Sequence, residues 1–182
     1  MSESNIQRPT LLFDTTVLSH FARADRLDVL SDLVIAERCG TTEVVKHELR
    51  QGTAQYPALA DALDLSWLDI IPLESAEALV SFAKWARRMG MGDRNLGEAS
   101  VFAAAEQCGG TVITDDRDAV RVGRAHGIDV HGTVWLLAGA CRNGKLTEVS
   151  ASTLIDTLRA TNMRLPCTGA EFGSFVRAHG LL

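Results

Sequence analysis

Short apolar runs alternate with amphipathic segments along this chain, and this alternation restricts its fold more than any other feature. The apolar runs have the length of strands, whereas the segments between them repeat apolar residues at helical spacing. A chain that alternates strands and helices forms a parallel sheet covered on both faces by helices. We therefore predict an α/β fold with a central, mainly parallel sheet.

The boundaries of these elements follow from the same periodicity. Strands are predicted at residues 10–13, 39–42, 67–72, 111–114 and 128–131. Helices are predicted to begin at 15 and 26, to cover 43–50, 56–63, 74–89, 96–108, 117–126 and 134–142, and to occur within 147–159 and 170–179. Thr42 is a candidate N-cap and Gly52 a candidate C-cap, while residues 90–93 (GMGD) and Gly109-Gly110 end helices.

The composition is that of one globular domain. Of 182 residues, 46% are hydrophobic and 23% charged. Residues 1–9 are polar and are predicted to form a flexible lead, and no apolar run is long enough to span a bilayer, so we expect no membrane association. The cysteines are scattered without a CxxC pair, which disfavours a disulfide framework and makes the cytoplasm the expected compartment.

Acidic residues stand at the ends of the predicted strands and on apolar helix faces. Asp14 follows the first strand and Asp115-Asp116 follow the fourth, where ligands bind in parallel sheets. Glu48 lies on an otherwise apolar helix face, and Glu98 lies in the first turn of an Ala-rich helix. These positions predict a cluster of acidic side chains.

Each of these residues also has a purely structural interpretation. Asp14 and the Asp115-Asp116 pair are suited to cap helices, and Glu98 to complement a helix dipole. Glu43 competes with Glu48, but a first-turn dipole role explains Glu43 better. The occurrence of all these acids at strand or helix ends favours a shared site.

A cluster of carboxylates is suited to bind Mg²⁺ or Mn²⁺ through oxygen ligands. Asp14, Glu98 and Asp116 are the candidates to hold one or two ions, and Glu48 to complete a second metal site or orient a water. Such an ion polarises a phosphate and lowers the pKa of bound water, so the predicted chemistry is phosphodiester hydrolysis. Secondary candidates are groups that could hydrogen-bond a carboxylate or phosphate near the cluster: Asp115, Thr15, Thr16 and Thr114. Arg87, Arg88 and Arg94 could bind substrate phosphates, although a solvated helix end explains these arginines better.

Other chemistries lack their motifs. The histidines form no HxH or HExxH pattern, and the chain has neither GxxxxGK[ST] nor GxGxxG, so a zinc hydrolase and a nucleotide-binding loop are disfavoured. A haloacid-dehalogenase-type phosphatase needs an acid where Thr16 stands, and a receiver domain needs its acidic pair early. The net charge of −5 argues against extended nucleic-acid binding but not against an enzyme that contacts a short stretch of RNA.

Four segments together resemble the PIN-domain family: FDTTVLSHF, TTEVVKHELRQG, LGEASVFAAAEQCGGTVITDDRDA and GIDVHGTVWLLA, within about residues 10 to 140. By this resemblance Asp14, Glu48, Glu98 and Asp116 correspond to the family's four acidic residues. It implies a three-layer α/β/α sandwich and a Mg²⁺- or Mn²⁺-dependent endoribonuclease. It also implies a toxin of a toxin–antitoxin pair, with RNA as substrate, a small antitoxin protein as partner, and a homodimer.

Two features depart from the minimal family pattern. Glu98 replaces the more usual Asp, which keeps the charge and lengthens the side chain by one methylene. Residues 144–182 extend beyond the PIN-like domain predicted at 10–143, and their apolar residues predict helices packed on the same domain or a surface for a partner. The alternative function is a catalytically silent PIN-like module for binding or regulation, which an intact acidic cluster disfavours.

Overall fold

The computed structural model describes residues 10–90 and 95–182. Its centre is a five-stranded sheet in the order β3-β2-β1-β4-β5, in which every neighbouring pair is parallel. The strands are β1 (Leu11–Phe13), β2 (Cys39–Thr41), β3 (Leu68–Ile70), β4 (Thr111–Ile113) and β5 (Val130–His131). The predicted α/β/α sandwich with a parallel sheet is confirmed.

Helices connect the strands in the predicted order. They are α1 (Thr15–Arg23), α2 (Leu27–Val34), α3 (Glu43–Gly52), a 3-10 helix (Pro57–Ala62), α4 (Ala76–Arg88), α5 (Leu96–Cys108), α6 (Arg117–Ala125), α7 (Thr133–Arg142), α8 (Glu148–Ala160) and α9 (Phe172–Ala178). Side chains that accept a hydrogen bond from a first-turn N–H cap α1, α3, α4, α6 and α8: Asp14, Thr42, Ser75, Asp116 and Thr147. Capping therefore determines where these helices begin.

One predicted helix has a particular type, and one predicted cap is wrong. The helix predicted at 56–63 is a 3-10 helix at Pro57–Ala62, a run too short to repay the cost of nucleating an α-helix. Gly52 is the last residue of α3, and Thr53 takes the C-cap position. A Cβ atom at Gly52 would lie 2.6 Å from Leu59 Cδ1, so close packing against the 3-10 helix explains this glycine.

Some predictions concern residues outside the described ranges. These are the flexible lead at 1–9, residues 91–93 of the GMGD break, and Arg94. The first residue of that break, Gly90, follows α4 with φ +79°. Gly109 ends α5 with φ +67°, a left-handed C-cap conformation, as predicted.

The central strands β1 and β4 lie in the core. Leu12, Phe13, Val112 and Ile113 are at most 1% exposed, which explains why these strands read as continuous apolar runs. On the helical layer, α4 packs on α5 through stacked rings of Trp85 and Phe102, whose centroids are 4.9 Å apart. This packing fixes α5, the helix that begins with the LGEAS segment.

The residues after 143 contribute side chains to the same core. The apolar residues of α8 and α9 are buried in it: Leu154, Ile155, Leu158, Phe172 and Val176. Phe175 is half-buried and stacks on His179. Within the described residues, no helix combines the length and apolar character needed to cross a membrane.

Candidate active site

Asp14 is the most buried of the predicted acidic residues. It directly follows β1, caps α1, and is 0% exposed. Its carboxylate accepts hydrogen bonds from the N–H groups of Thr15 (2.6 Å) and Thr16 (3.4 Å) and from Thr114 Oγ1 (3.0 Å). Its pKa is raised from 3.8 to about 6, first by burial and then by the nearby charge of Glu48, against the effect of these hydrogen bonds.

Thr114 links two of the predicted acids. Because β1 and β4 are paired in parallel, with Phe13 opposite Ile113, Asp14 and Thr114 leave the sheet side by side. The buried Thr114 hydroxyl donates to Asp14 Oδ2 and accepts from the N–H of Asp116 (3.2 Å). Asp116 is exposed and caps α6 by accepting from Ala119 N (2.8 Å). The end of the sheet thus places Asp14 and Asp116 around one hydroxyl.

Glu48 reaches this group from α3. Its Oε2 accepts a hydrogen bond from the Thr15 hydroxyl, and its Oε1 accepts one from the Gly97 N–H at 2.8 Å. Glu48 therefore joins the start of α1 to the start of α5. The competing acid, Glu43, is exposed in the first turn of α3, which fits its interpretation as a residue that complements the helix dipole.

Glu98 lies in the first turn of α5, one residue beyond Gly97, and is half-buried. Its pKa is raised from 4.5 to about 8, first by burial and then by the negative charges of Asp14, Glu48 and Asp116. The structure therefore brings all four predicted acids close enough to act on one another electrostatically.

The secondary candidates divide into two groups. Thr15, Thr16 and Thr114 each donate a hydrogen bond to one of the acids. Asp115 turns away toward α7, where it accepts from the hydroxyl of Thr133 at 2.6 Å and from its N–H at 3.1 and 3.2 Å. Asp115 anchors the start of α7, and burial raises its pKa to about 6.

Of the three predicted arginines, the two that the structure describes, Arg87 and Arg88, differ in position. Arg88 lies over the Trp85 ring at 4.6 Å, 3.9 Å from Glu106, and lines a cavity of about 250 Å³ together with Glu98 and Asp116. Arg87 is exposed, and its Nε donates to the Ala83 carbonyl at 3.4 Å. Of these two residues, Arg88 is therefore the one near the acidic cluster, and Arg121 lines the same cavity.

A buried hydroxyl pair that sequence reasoning missed holds α3 and α5 in place. The hydroxyls of Thr42 and Ser100 lie 2.6 Å apart, and Ser100 also donates to the Gly97 carbonyl at 2.6 Å. Both side chains are at most 1% exposed. The signal in the sequence is the Ser of GEAS, a polar residue on an apolar helix, but its partner is 58 residues away.

The chemistry of these side chains fits a hard divalent cation. Four carboxylates supply oxygen donors, and the raised pKa values of Asp14 and Glu98 report repulsion and burial that a cation would relieve. Among residues 10–90 and 95–182, no three His, Cys, Asp or Glu side chains are arranged to hold one ion together. Mg²⁺ commonly binds through one or two carboxylates and keeps several waters, which this arrangement permits.

The fold has counterparts among known proteins. A family model described as a PIN domain matches residues 10–171. Among solved structures, the chain is similar to one in the crystal structure of VapBC2 from Rickettsia felis bound to a DNA fragment from their promoter. The TM-score is 0.50 and the identity 15%, and the match covers 68% of this chain and 98% of that chain, so the likeness concerns the fold. No curated protein matched.

Proposed function

We propose that this chain, which belongs to the PIN-domain family, is a Mg²⁺- or Mn²⁺-dependent endoribonuclease. PIN domains are in general nucleases, and the intact acidic cluster supports that activity here. The observation that carries the proposal is the arrangement of the acids: the Thr114 hydroxyl binds both Asp14 and the Asp116 N–H, and Glu48 binds Thr15 and Gly97, the residue before Glu98. Burial and the charges of Asp14, Glu48 and Asp116 also raise the pKa of Glu98, and a cation would compensate this repulsion.

Asp14, Glu98 and Asp116 are proposed to hold the ion or ions, and Glu48 to complete a second metal site or orient a water. A divalent cation bound there supplies positive charge to a phosphodiester and lowers the pKa of water. The protein orients its own carboxylates. Thr114 fixes one oxygen of Asp14, and Thr15 and Gly97 fix the two oxygens of Glu48. Because these hydrogen bonds hold the carboxylates in place before a substrate binds, the carboxylates need not rearrange during the reaction.

The chain is further proposed to be the toxin of a toxin–antitoxin pair, acting in the cytoplasm as a homodimer. Support comes from the family and from the similarity of the fold to a chain of VapBC2, whose crystal structure is of VapBC2 bound to a DNA fragment from their promoter. By analogy, we expect a small antitoxin protein to inhibit cleavage. Light scattering of the purified chain, alone and with the protein encoded beside it, tests the dimer and this partner.

Cleavage of a mixed structured RNA tests the enzymatic proposal. Purified protein is incubated with Mn²⁺, with Mg²⁺ and with EDTA, beside the Asp14→Asn variant. We expect cleavage with the metals, none with EDTA, and loss in the variant. If a folded protein free of partners cuts no RNA with either metal, the alternative of a silent binding or regulatory module is favoured instead.

A further inference from the structure

A cleft separate from the acidic cluster opens on its flank. Its volume is about 480 Å³, and residues of α6, α7 and the C-terminal segment 164–181 line it. Thr114 and Asp115 form its border with the acidic cluster. The residues after 143, which exceed the predicted PIN-like domain, thus build one wall of a cavity beside the candidate active site.

The cleft is locally basic on an acidic chain. Three arginines line it, Arg117, Arg124 and Arg164, although the chain carries a net charge of −5. The Arg124 guanidinium is held in place, because its Nε and Nη2 donate to the Val130 carbonyl at 3.3 and 2.9 Å. Of the described residues that line the cleft, Asp115 is the single carboxylate, and Thr133 already binds it. This charge favours an anionic occupant.

Flat ring pairs line the same cleft. Trp135 stacks on His131 with ring centroids 4.1 Å apart and planes 12° apart, and Phe175 stacks on His179 at 4.1 Å and 26°. Trp135 and Phe175 are both half-buried. Aromatic rings beside arginines are the combination that binds unpaired nucleic-acid bases together with their phosphates.

Thr114 connects the cleft to the acidic cluster. Thr114 is among the residues that line the cleft, and its buried hydroxyl donates to Asp14 and accepts from the Asp116 N–H. Arg117, which directly follows Asp116, also lines the cleft, so the cleft begins one residue along the chain from one of the acids.

We propose that this cleft binds one unpaired nucleotide of single-stranded RNA, next to the phosphate that is cleaved. The base stacks on the rings, and the arginines bind its phosphate. An acidic peptide would satisfy the arginines but has no planar base for the rings, so RNA is the better match. The inference rests on the proposed ribonuclease function and gives the C-terminal extension a part in substrate binding.

Binding without cleavage tests the inference independently of activity. The dissociation constant of a fluorescein-labelled single-stranded RNA octamer of mixed sequence is measured by anisotropy in EDTA, using the full chain. The variants are Trp135→Leu and Arg164→Ala, and the control is Arg177→Ala. Arg177 is an exposed α9 residue that pairs with Glu148 at 3.0 Å and is not among the residues that line the cleft. Thermal unfolding checks that each variant is folded.

We expect Trp135→Leu to weaken binding by about 10-fold, as the loss of base stacking does. Arg164→Ala should weaken binding and reduce the slope of log affinity against log salt by about 1. Arg177→Ala should bind like the wild type, and a duplex of the same sequence should bind less tightly, because its bases are not free to stack.

Other results would overturn the inference. Wild-type affinity in both Trp135→Leu and Arg164→Ala would exclude RNA from the cleft, and so would a wild-type protein that binds no RNA. If instead an acidic peptide such as oligoglutamate binds the wild type and loses affinity in Arg164→Ala while RNA does not, the cleft is a peptide site. Metal-dependent cleavage by the wild type would leave the ribonuclease proposal standing in all three cases.

Discussion

The backbone N–H of Gly97 donates a hydrogen bond to Oε1 of Glu48 at 2.8 Å, so the first turn of α5 holds the carboxylate on α3. A Cβ atom at position 97 would collide with that carboxylate. The atoms it meets are at the far end of a flexible side chain, which can move without disturbing the backbone.

Gly97→Ala is therefore expected to damage activity more than stability. Ala favours a helix over Gly by about 1 kcal/mol, which offsets part of the lost hydrogen bonding, so we expect Tm to change by no more than about 3 °C. Displacement of Glu48 should reduce metal-dependent RNA cleavage by at least about 10-fold. Initial cleavage rates and thermal unfolding measure both effects.

Gly139→Ala is the matched control, since Gly139 also lies within a helix, α7. A Cβ atom there would meet only Arg142 Nη2, at an ordinary 3.6 Å. Its activity should equal that of the wild type. If Gly97→Ala were as active as Gly139→Ala, the position of Glu48 would not matter for the reaction.

Asp14→Asn is expected to abolish most of the RNA cleavage without lowering the stability of the fold. The substitution keeps the shape of the side chain and removes a charge from a position that is 0% exposed. Without metal at pH 8, Tm should be equal to or above that of the wild type, whereas cleavage should fall by roughly 100-fold or more. Asp32→Asn, at an exposed position on α2, should change neither. Retained cleavage in Asp14→Asn would show that this carboxylate is dispensable.

The stability of the metal-free protein is expected to fall as pH rises. Asp14 has its pKa raised from 3.8 to about 6, and Glu98 from 4.5 to about 8, so the folded state binds these protons more tightly than the unfolded state. The stabilisation is complete below the ordinary values and is lost as pH rises through about 6 and then about 8. Asp115, whose pKa burial raises to about 6, adds to this loss, and His20, whose pKa burial lowers from 6.5 to about 4, opposes it below pH 6.5. The net effect in EDTA should be a drop in Tm between pH 5 and pH 8 on the order of 5 °C.

Mn²⁺ is expected to reverse this trend, because a cation and protons compete for the same carboxylates. The rise in Tm on adding Mn²⁺ should be larger at pH 8 than at pH 5, and Glu98→Gln should flatten the dependence seen in EDTA. Thermal scans at both pH values, with EDTA and with Mn²⁺, measure these differences. An equal effect of Mn²⁺ at the two pH values would argue against binding at these acids.

The C-terminal extension is proposed to unfold together with residues 10–143. Phe172 of α9 is 0% exposed, and Phe172→Ala should cost about 3–5 kcal/mol and lower Tm by roughly 10 °C. All three tryptophans precede the extension, but Trp135 lines the cleft beside the C-terminal segment, so the comparison is made in the Trp135→Leu background, where Trp67 and Trp85 report on the rest of the chain. In Phe172→Ala, the unfolding transition followed by tryptophan fluorescence should move to lower temperature together with the transition followed by far-UV circular dichroism.

Val149→Ala is the control for this comparison, because Val149 lies on α8 in the same extension but is 77% exposed. It should leave Tm unchanged. If Phe172→Ala moved the far-UV transition while tryptophan fluorescence unfolded at the wild-type temperature, the extension would be a separate unit.

The sequence by itself determined the order of the strands and helices along the chain. It also determined that Asp14 and Asp116 lie at strand ends. These features depend on local periodicity, capping and the parallel pairing that an alternating chain requires. It also singled out Glu48 and Glu98, since an acid on an apolar helix face is costly unless a site uses it.

Only the tertiary structure decided what each carboxylate contacts. Glu48 meets Thr15 and Gly97 across 33 and 49 residues of sequence, and Asp14 meets Thr114 across 100. Asp115, adjacent to Asp116, turns instead to Thr133. The cleft likewise requires α6, α7 and the C-terminal segment to come together. Such contacts form only if the helices pack on the sheet with an error smaller than the length of a hydrogen bond. No local pattern of residues specifies the distance between two helices with that accuracy.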